Sequence, residues 1–310
     1  MMRRTFLAAA LAVQSGAAWA QAGPDINDAT IVGQQINAAV DRSLETGRTR
    51  SGEGGETIDG EAGVFVLKVN EIFLISASTS LGFTTNPERT ADSLGSSFYN
   101  DTALSAGIAT VLGGKVDLGL SATLAGREFF EDFAPSNRTA SGNLSLGTAI
   151  GDTPLYVGVT GFGGYNFERD FTRGTSFYGT SASLSAALPL GRRILLRPGV
   201  GATRQWSGIS ENNSTSVSAS LDALAALSPQ FTASVRAAVV RRWYDDFYED
   251  VTFVERVDMA YQLGAALAWR PAERVTLAIN AGFEKQDSRF FLSDYDAFDA
   301  GIGVAFNLRF

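Results

Sequence analysis

Phe298-Asp299-Ala300-Gly301-Ile302-Gly303-Val304-Ala305-Phe306-Asn307-Leu308-Arg309-Phe310 closes the chain, and its pattern decides the fold. Phe298, Ala300, Ile302, Val304, Phe306, Leu308 and Phe310 share one face; Asp299, Gly301, Gly303, Ala305, Asn307 and Arg309 share the other. A period of two means a β-strand, because successive side chains leave opposite faces of the pleat. One face is wholly apolar, and the other is too small and too polar to fill a dry core.

The scheme recurs upstream. Val275, Leu277, Ile279, Ala281 and Phe283 alternate with Thr276, Ala278, Asn280, Gly282 and Glu284. Val116, Leu118, Leu120, Ala122 and Leu124 alternate with Asp117, Gly119, Ser121 and Thr123. Twelve such strands are expected, at about 71–85, 98–112, 116–130, 139–150, 155–167, 175–188, 193–206, 215–227, 231–244, 256–270, 275–286 and 295–310. Five connections are tight, at Gly113–Lys115, Gly151–Pro154, Pro189–Arg192, Ser228–Gln230 and Pro271–Arg274. They alternate with six that are generally longer and more acidic.

Short turns at one rim and longer loops at the other point to an all-β, antiparallel, up-and-down transmembrane barrel in the bacterial outer membrane. A soluble sandwich is disfavoured, because its strands run to about 5–6 residues. A tilted strand of about 9–11 residues in lipid, extended at both rims, fits better. Aromatics at strand ends suggest interfacial girdles: Phe83, Phe98, Tyr99, Phe129, Phe130, Phe167, Phe177, Tyr178, Trp206, Trp243, Tyr244 and Phe283 on the loop side, and Tyr156, Phe231, Trp269 and Phe310 on the turn side.

The start of the chain is an expected address. Arg3-Arg4, the apolar run Phe6–Val13 and Ala18-Trp19-Ala20 match a signal peptide over residues 1–20. Its removal would take the net charge from −8 to −10. Residues 21–62 read as a periplasmic helix, with Val32, Ile36, Val40 and Leu44 on one face, followed by a flexible linker. The barrel is expected over residues 63–310.

Composition excludes much chemistry. With no Cys and no His there is no thiol nucleophile, disulfide, zinc–thiolate site or imidazole base. No catalytic residue, metal site or cofactor is expected. A net charge of −8 with Lys68, Lys115 and Lys285 as the only lysines argues against a nucleic-acid partner. The acidic runs Glu131-Asp132 and Asp245–Asp250 read as solvated loop charge.

The terminal Phe306-Asn307-Leu308-Arg309-Phe310 resembles the signal that the outer-membrane insertion machinery recognises in bacterial barrels, with Phe306, Leu308 and Phe310 as its recognised side chains. The stretch Ser76–Pro87 is similar to the opening of a β-barrel porin family whose members often accompany exopolysaccharide export systems. Outer-membrane barrel enzymes of similar size depend on a catalytic His, which this sequence lacks. The resemblances imply a non-enzymatic narrow channel or export-associated component, with a structural barrel of closed lumen as the alternative. Implied partners are outer-membrane lipid and lipopolysaccharide, the insertion machinery and a periplasmic export component.

Alternation also places charge inside. Arg127, Arg197, Arg236, Arg242, Arg270 and Arg309 are expected to share the lumen with Asp117, Asp222, Asp258, Glu284 and Asp299. They would serve either as ion pairs bracing the wall or as a channel lining.

Deleting Phe310 should impair insertion, because the last strand must be recognised and must also close the barrel against the first. The check is the yield of heat-modifiable, membrane-embedded protein, which should fall sharply relative to the intact chain.

Overall fold

The computed structural model describes residues 73–89, 91, 95–112, 116–131, 136–151, 153–168, 174–191, 193–245, 255–272, 274–289 and 293–309. The expected signal peptide, periplasmic helix and linker, the Gly113–Lys115 turn, most of the acidic run after Asp245, and Phe310 lie outside these residues. So does the side chain of Arg309.

Thirteen strands follow one another in a single antiparallel sheet. They are β1 (Phe73–Thr84), β2 (Ser97–Leu112), β3 (Val116–Phe129), β4 (Asn137–Ala149), β5 (Leu155–Glu168), β6 (Gly174–Ala186), β7 (Leu188–Leu190), β8 (Ile194–Ser207), β9 (Ser214–Ala226), β10 (Phe231–Tyr244), β11 (Val257–Ala272), β12 (Val275–Ser288) and β13 (Tyr295–Arg309). β7 only prolongs β6 along β8, so the wall has twelve staves. The first and last meet, with Leu74 opposite Arg309 and Thr84 opposite Asp299. The β6–β8 pairing continues the ring on the far side, so the sheet closes on itself.

Burial follows the alternation, with its usual sense inverted. Leu81, Leu120, Leu124, Leu263 and Ile302 face outward and are more than half exposed, whereas Asp101, Asp117, Arg127 and Asp258 face inward and are buried. An apolar exterior around a polar interior suits hydrocarbon outside and water within. Closure is what permits it, because an open edge would present unpaired N–H and C=O groups to lipid.

Two expected turns are corrected. Pro189 and Leu190, expected to open the Pro189–Arg192 turn, belong instead to the strand β7. The ladder between β6 and β8 lapses opposite Pro198, whose nitrogen has no proton to donate, and resumes at Leu188 opposite Leu196. Pro271 does not open a turn either: β11 runs on to Ala272, with a register shift between Trp269 and Ala272. A bulge at a strand end is where a sheet tolerates proline.

The girdle expectation also needs correction. Phe98-Tyr99, Phe129-Phe130, Phe177-Tyr178 and Trp243-Tyr244 are adjacent pairs, and a strand must send the two members of a pair to opposite faces. Phe98, Phe130 and Tyr178 are exposed on the outer wall, while Tyr99, Phe129, Phe177 and Tyr244 are buried inside, as is Tyr156. The outer girdle is thus thinner than expected, and five of the rings assigned to it belong to the lumen.

Side-chain direction gives a paired test. Leu120→Arg puts a guanidinium into lipid and should cost about 2–4 kcal/mol near mid-membrane. Ser121→Arg enters the lumen, at the price of the bond that Ser121 accepts from Asn143 Nδ2 at 2.8 Å, and should cost less than half as much. Urea titration of folding into detergent micelles would rank the two.

Candidate functional site

The lumen has three tiers. At the loop end the charges are paired. Arg127 on β3 lies directly opposite Asp101 on β2, and donates Nε to Oδ1 at 2.7 Å and Nη2 to Oδ2 at 2.8 Å. Its guanidinium carbon stands 3.9 Å from the centroid of the Tyr99 ring. A two-point bond and a π face together hold a cation that is only 2% exposed.

Beside this pair, the loop after β1 folds inward and carries Arg89 to β12 and β13. Arg89 Nη2 donates to Asp299 Oδ2 at 2.5 Å, and Nη1 lies 3.6 Å from Glu284 Oε2. The Tyr295 hydroxyl donates to Glu284 Oε1 at 2.9 Å. Burial by itself opposes the charge on Arg89, but the two carboxylates outweigh it and raise its pKa. Further round the wall, Asp258 accepts from Arg256 Nη2 at 2.7 Å, Tyr244 at 3.0 Å and Ser288 at 2.6 Å. Arg242 points its Nη1 toward the same tyrosine hydroxyl.

At mid-height the wall carries small hydroxyls and glycine: Ser78 and Ser80 on β1, Ser105 on β2, Ser183 on β6, Ser218 and Ser220 on β9, all half-buried. At the turn end the charges return. Tyr156 donates to Asp117 Oδ2 at 2.8 Å. Arg197, Asp222 and Arg236 are successive cross-strand partners on β8, β9 and β10. Arg236 Nε stands 3.7 Å from Asp222 Oδ1, too far for a hydrogen bond. Asp222 Oδ2 and Arg236 Nε are buried without a hydrogen-bond partner, so this contact is looser than the two-point bond between Arg127 and Asp101.

Glycine seats the rings that turn inward. A Cβ on Gly82, the cross-strand partner of Tyr99, would collide with the Tyr99 ring, and one on Gly147 would collide with Tyr156. Phe177 over Gly164 and Phe162 over Gly179 repeat the arrangement. Each ring therefore lies flat along the wall, which is how Tyr156 reaches Asp117.

Of the charges expected inside, Arg127, Arg197, Arg242, Asp117, Asp222, Asp258, Glu284 and Asp299 are inward and buried, and Arg236 is inward and half-buried. Arg270 is half-buried at the turn rim, beside the β11 bulge. Sequence reasoning missed Asp101, Arg89, Arg256 and the lumenal tyrosines. Asp101 could have been found, since it shares the parity of Ser105 and Gly107 on β2. Arg256 heads the expected strand 256–270 and shares the parity of Asp258, so it too was within reach, whereas Arg89 sits in a loop, where alternation carries no signal. Among the described residues no group of three or more acidic side chains is placed to hold a metal ion.

No protein-family model matches the chain, and no curated protein matches it. An outer membrane channel from Pseudomonas putida F1 superposes with a TM-score of 0.54 at 11% identity, over 82% of this chain and 100% of that one. The chain has the outer-membrane β-barrel fold. The NanC porin (TM-score 0.46, 11% identity, 75% and 100% of the two chains) and LpxR from Salmonella typhimurium (0.44, 12%, 74% and 99%) superpose less closely. With an apolar outer wall, this barrel resides in the bacterial outer membrane.

Breaking the loop-end pair one-sidedly should be costly. Arg127→Met leaves Asp101 buried without its partner and should destabilise the barrel by about 3–5 kcal/mol. Adding Asp101→Leu should recover a large part of that loss. The four proteins of this double-mutant cycle can be compared by urea unfolding in micelles.

Proposed function

We propose that the chain is a narrow, non-enzymatic channel that passes small polar solutes across the outer membrane. The observation that carries this reading is the mid-height lining of half-buried Ser and Gly between two charged tiers, which suits a polar bore. Hydroxyls can exchange bonds with water or with a hydroxylated solute at little cost, as conduction requires. The charged side chains are largely neutralised in pairs, which favours weak ion selectivity. Twelve strands enclose more room than a filled eight-stranded barrel and less than a sixteen-stranded porin, so the bore is narrow.

Export of a polysaccharide is the second reading. It rests on the resemblance of Ser76–Pro87 to the export-associated porin family, and the hydroxyl-lined wall is chemically suited to sugar. In that reading, residues 21–62 serve as the periplasmic contact for an export partner.

Purified protein in planar bilayers should give small, steady conductance with little preference between potassium and chloride. Proteoliposomes should swell in monosaccharides and much less in long oligosaccharides. Neither conductance nor swelling would favour a structural barrel of closed lumen instead.

A further inference from the structure

We propose that Arg89 is a latch at the start of the β1–β2 loop: it holds residues 85–89 inside the loop-end mouth, and its charge sets the ion preference there. This rests on the channel reading and assigns that channel a selectivity-determining residue. Arg89 differs in kind from the other lumenal arginines. Arg127 bridges two adjacent strands at one register position, so it braces the wall. Arg89 belongs to no strand, and it ties a loop to residues of β12 and β13 some 200 positions away, Glu284 and Asp299.

The loop is drawn in against its own backbone preference. Among the described residues Arg89 is the one non-glycine with positive φ, at 53°. A side chain in that region is strained, and it persists only where its surroundings hold it. The holding contacts are the two carboxylates and the Tyr295 ring, whose centroid is 5.8 Å from the guanidinium carbon. Earlier in the loop, Thr85 is fastened to Phe298 through both backbone and side chain, and Asn86 Nδ2 donates to the Asp296 carbonyl at 3.3 Å. The loop base is therefore fixed by strand-like bonds, while its inward turn depends on Arg89.

Charge follows from the same geometry. Arg89 and Arg127 share this mouth with three carboxylates, Asp101, Glu284 and Asp299, and Asp299 Oδ1 is buried without a hydrogen-bond partner. Withdrawing Arg89 would expose Glu284 and Asp299 to the mouth with no loop in front of them. The mouth would become wider and more attractive to cations.

The experiment compares three proteins in planar bilayers under a potassium chloride gradient. Arg89→Ala should raise single-channel conductance about two-fold and move the reversal potential toward cation preference. Asp299→Asn with Glu284→Gln should also raise conductance, since the latch has lost its anchor, but without a gain in cation preference. A purely bracing role would leave the reversal potential of Arg89→Ala where it was, and that result would overturn the proposal.

A second readout does not depend on conduction. The chain has no cysteine, so Pro87→Cys, at a buried loop position, is a unique label site. Maleimide should react with it slowly in the otherwise native protein and at least several-fold faster when Asp299→Asn and Glu284→Gln are added. Equal rates would sink the latch, even if Arg89→Ala failed to fold. A silent wild type that nonetheless shows faster labelling in the unlatched variant would refute the channel reading and leave the latch standing.

Discussion

A backbone amide in hydrocarbon has no water to bond, so each one in the wall must find a carbonyl on a neighbouring strand. The seam between β1 and β13 is where this requirement falls most heavily. Those strands lie at opposite ends of the described chain and pair over eleven register positions, from Leu74↔Arg309 to Thr84↔Asp299. Once that ring is closed, every strand residue is assigned to lipid or to lumen by parity alone. The outer Leu and Ile, the inner Ser and Asp, and the splitting of the aromatic pairs all follow from it. Pro198 and Pro271 show the same rule at its limits. Each removes a donor, and the ladder adapts by lapsing beside the first and bulging beside the second.

Inside, the dominant issue is desolvation. A guanidinium or carboxylate against the wall loses much of its water and is tolerated where a partner replaces it. Arg127 with Asp101, and Arg256 with Asp258, meet that condition through short, multiple bonds. Asp222 with Arg236, at 3.7 Å, meets it less fully. The interior therefore contains two charged tiers, separated by hydroxyls that need no ionic partner.

The architecture was largely legible in the sequence because strand parity is a local property. Phe298–Phe310 and Val116–Leu124 declare their faces without reference to any other segment. Most of the lumenal charges were legible by the same parity. What parity cannot supply is which residues stand opposite each other. The pairing of Gly82 with Tyr99 depends on a register set by the whole hairpin, and so does the bond between Tyr156 and Asp117. Arg89 was beyond reach for a different reason: a loop has no period, and its inward path is fixed by contacts on β12 and β13. The girdle was misread because clustering at strand ends was counted without applying the alternation that the strands themselves require.

The rings that lie on glycines have a consequence for how such a wall can change over generations. Gly82 and Tyr99, or Gly179 and Phe162, occupy one volume between them, so neither member drifts independently. A methyl group gained on the glycine strand displaces a ring, and a ring lost on the other strand leaves bare backbone facing the bore. Descendants of this barrel are therefore expected to vary these positions in coupled steps, large with small, and the coupled positions will mark neighbouring strands. In an alignment of such descendants, register that is invisible in a single chain would be written as pairs of substitutions.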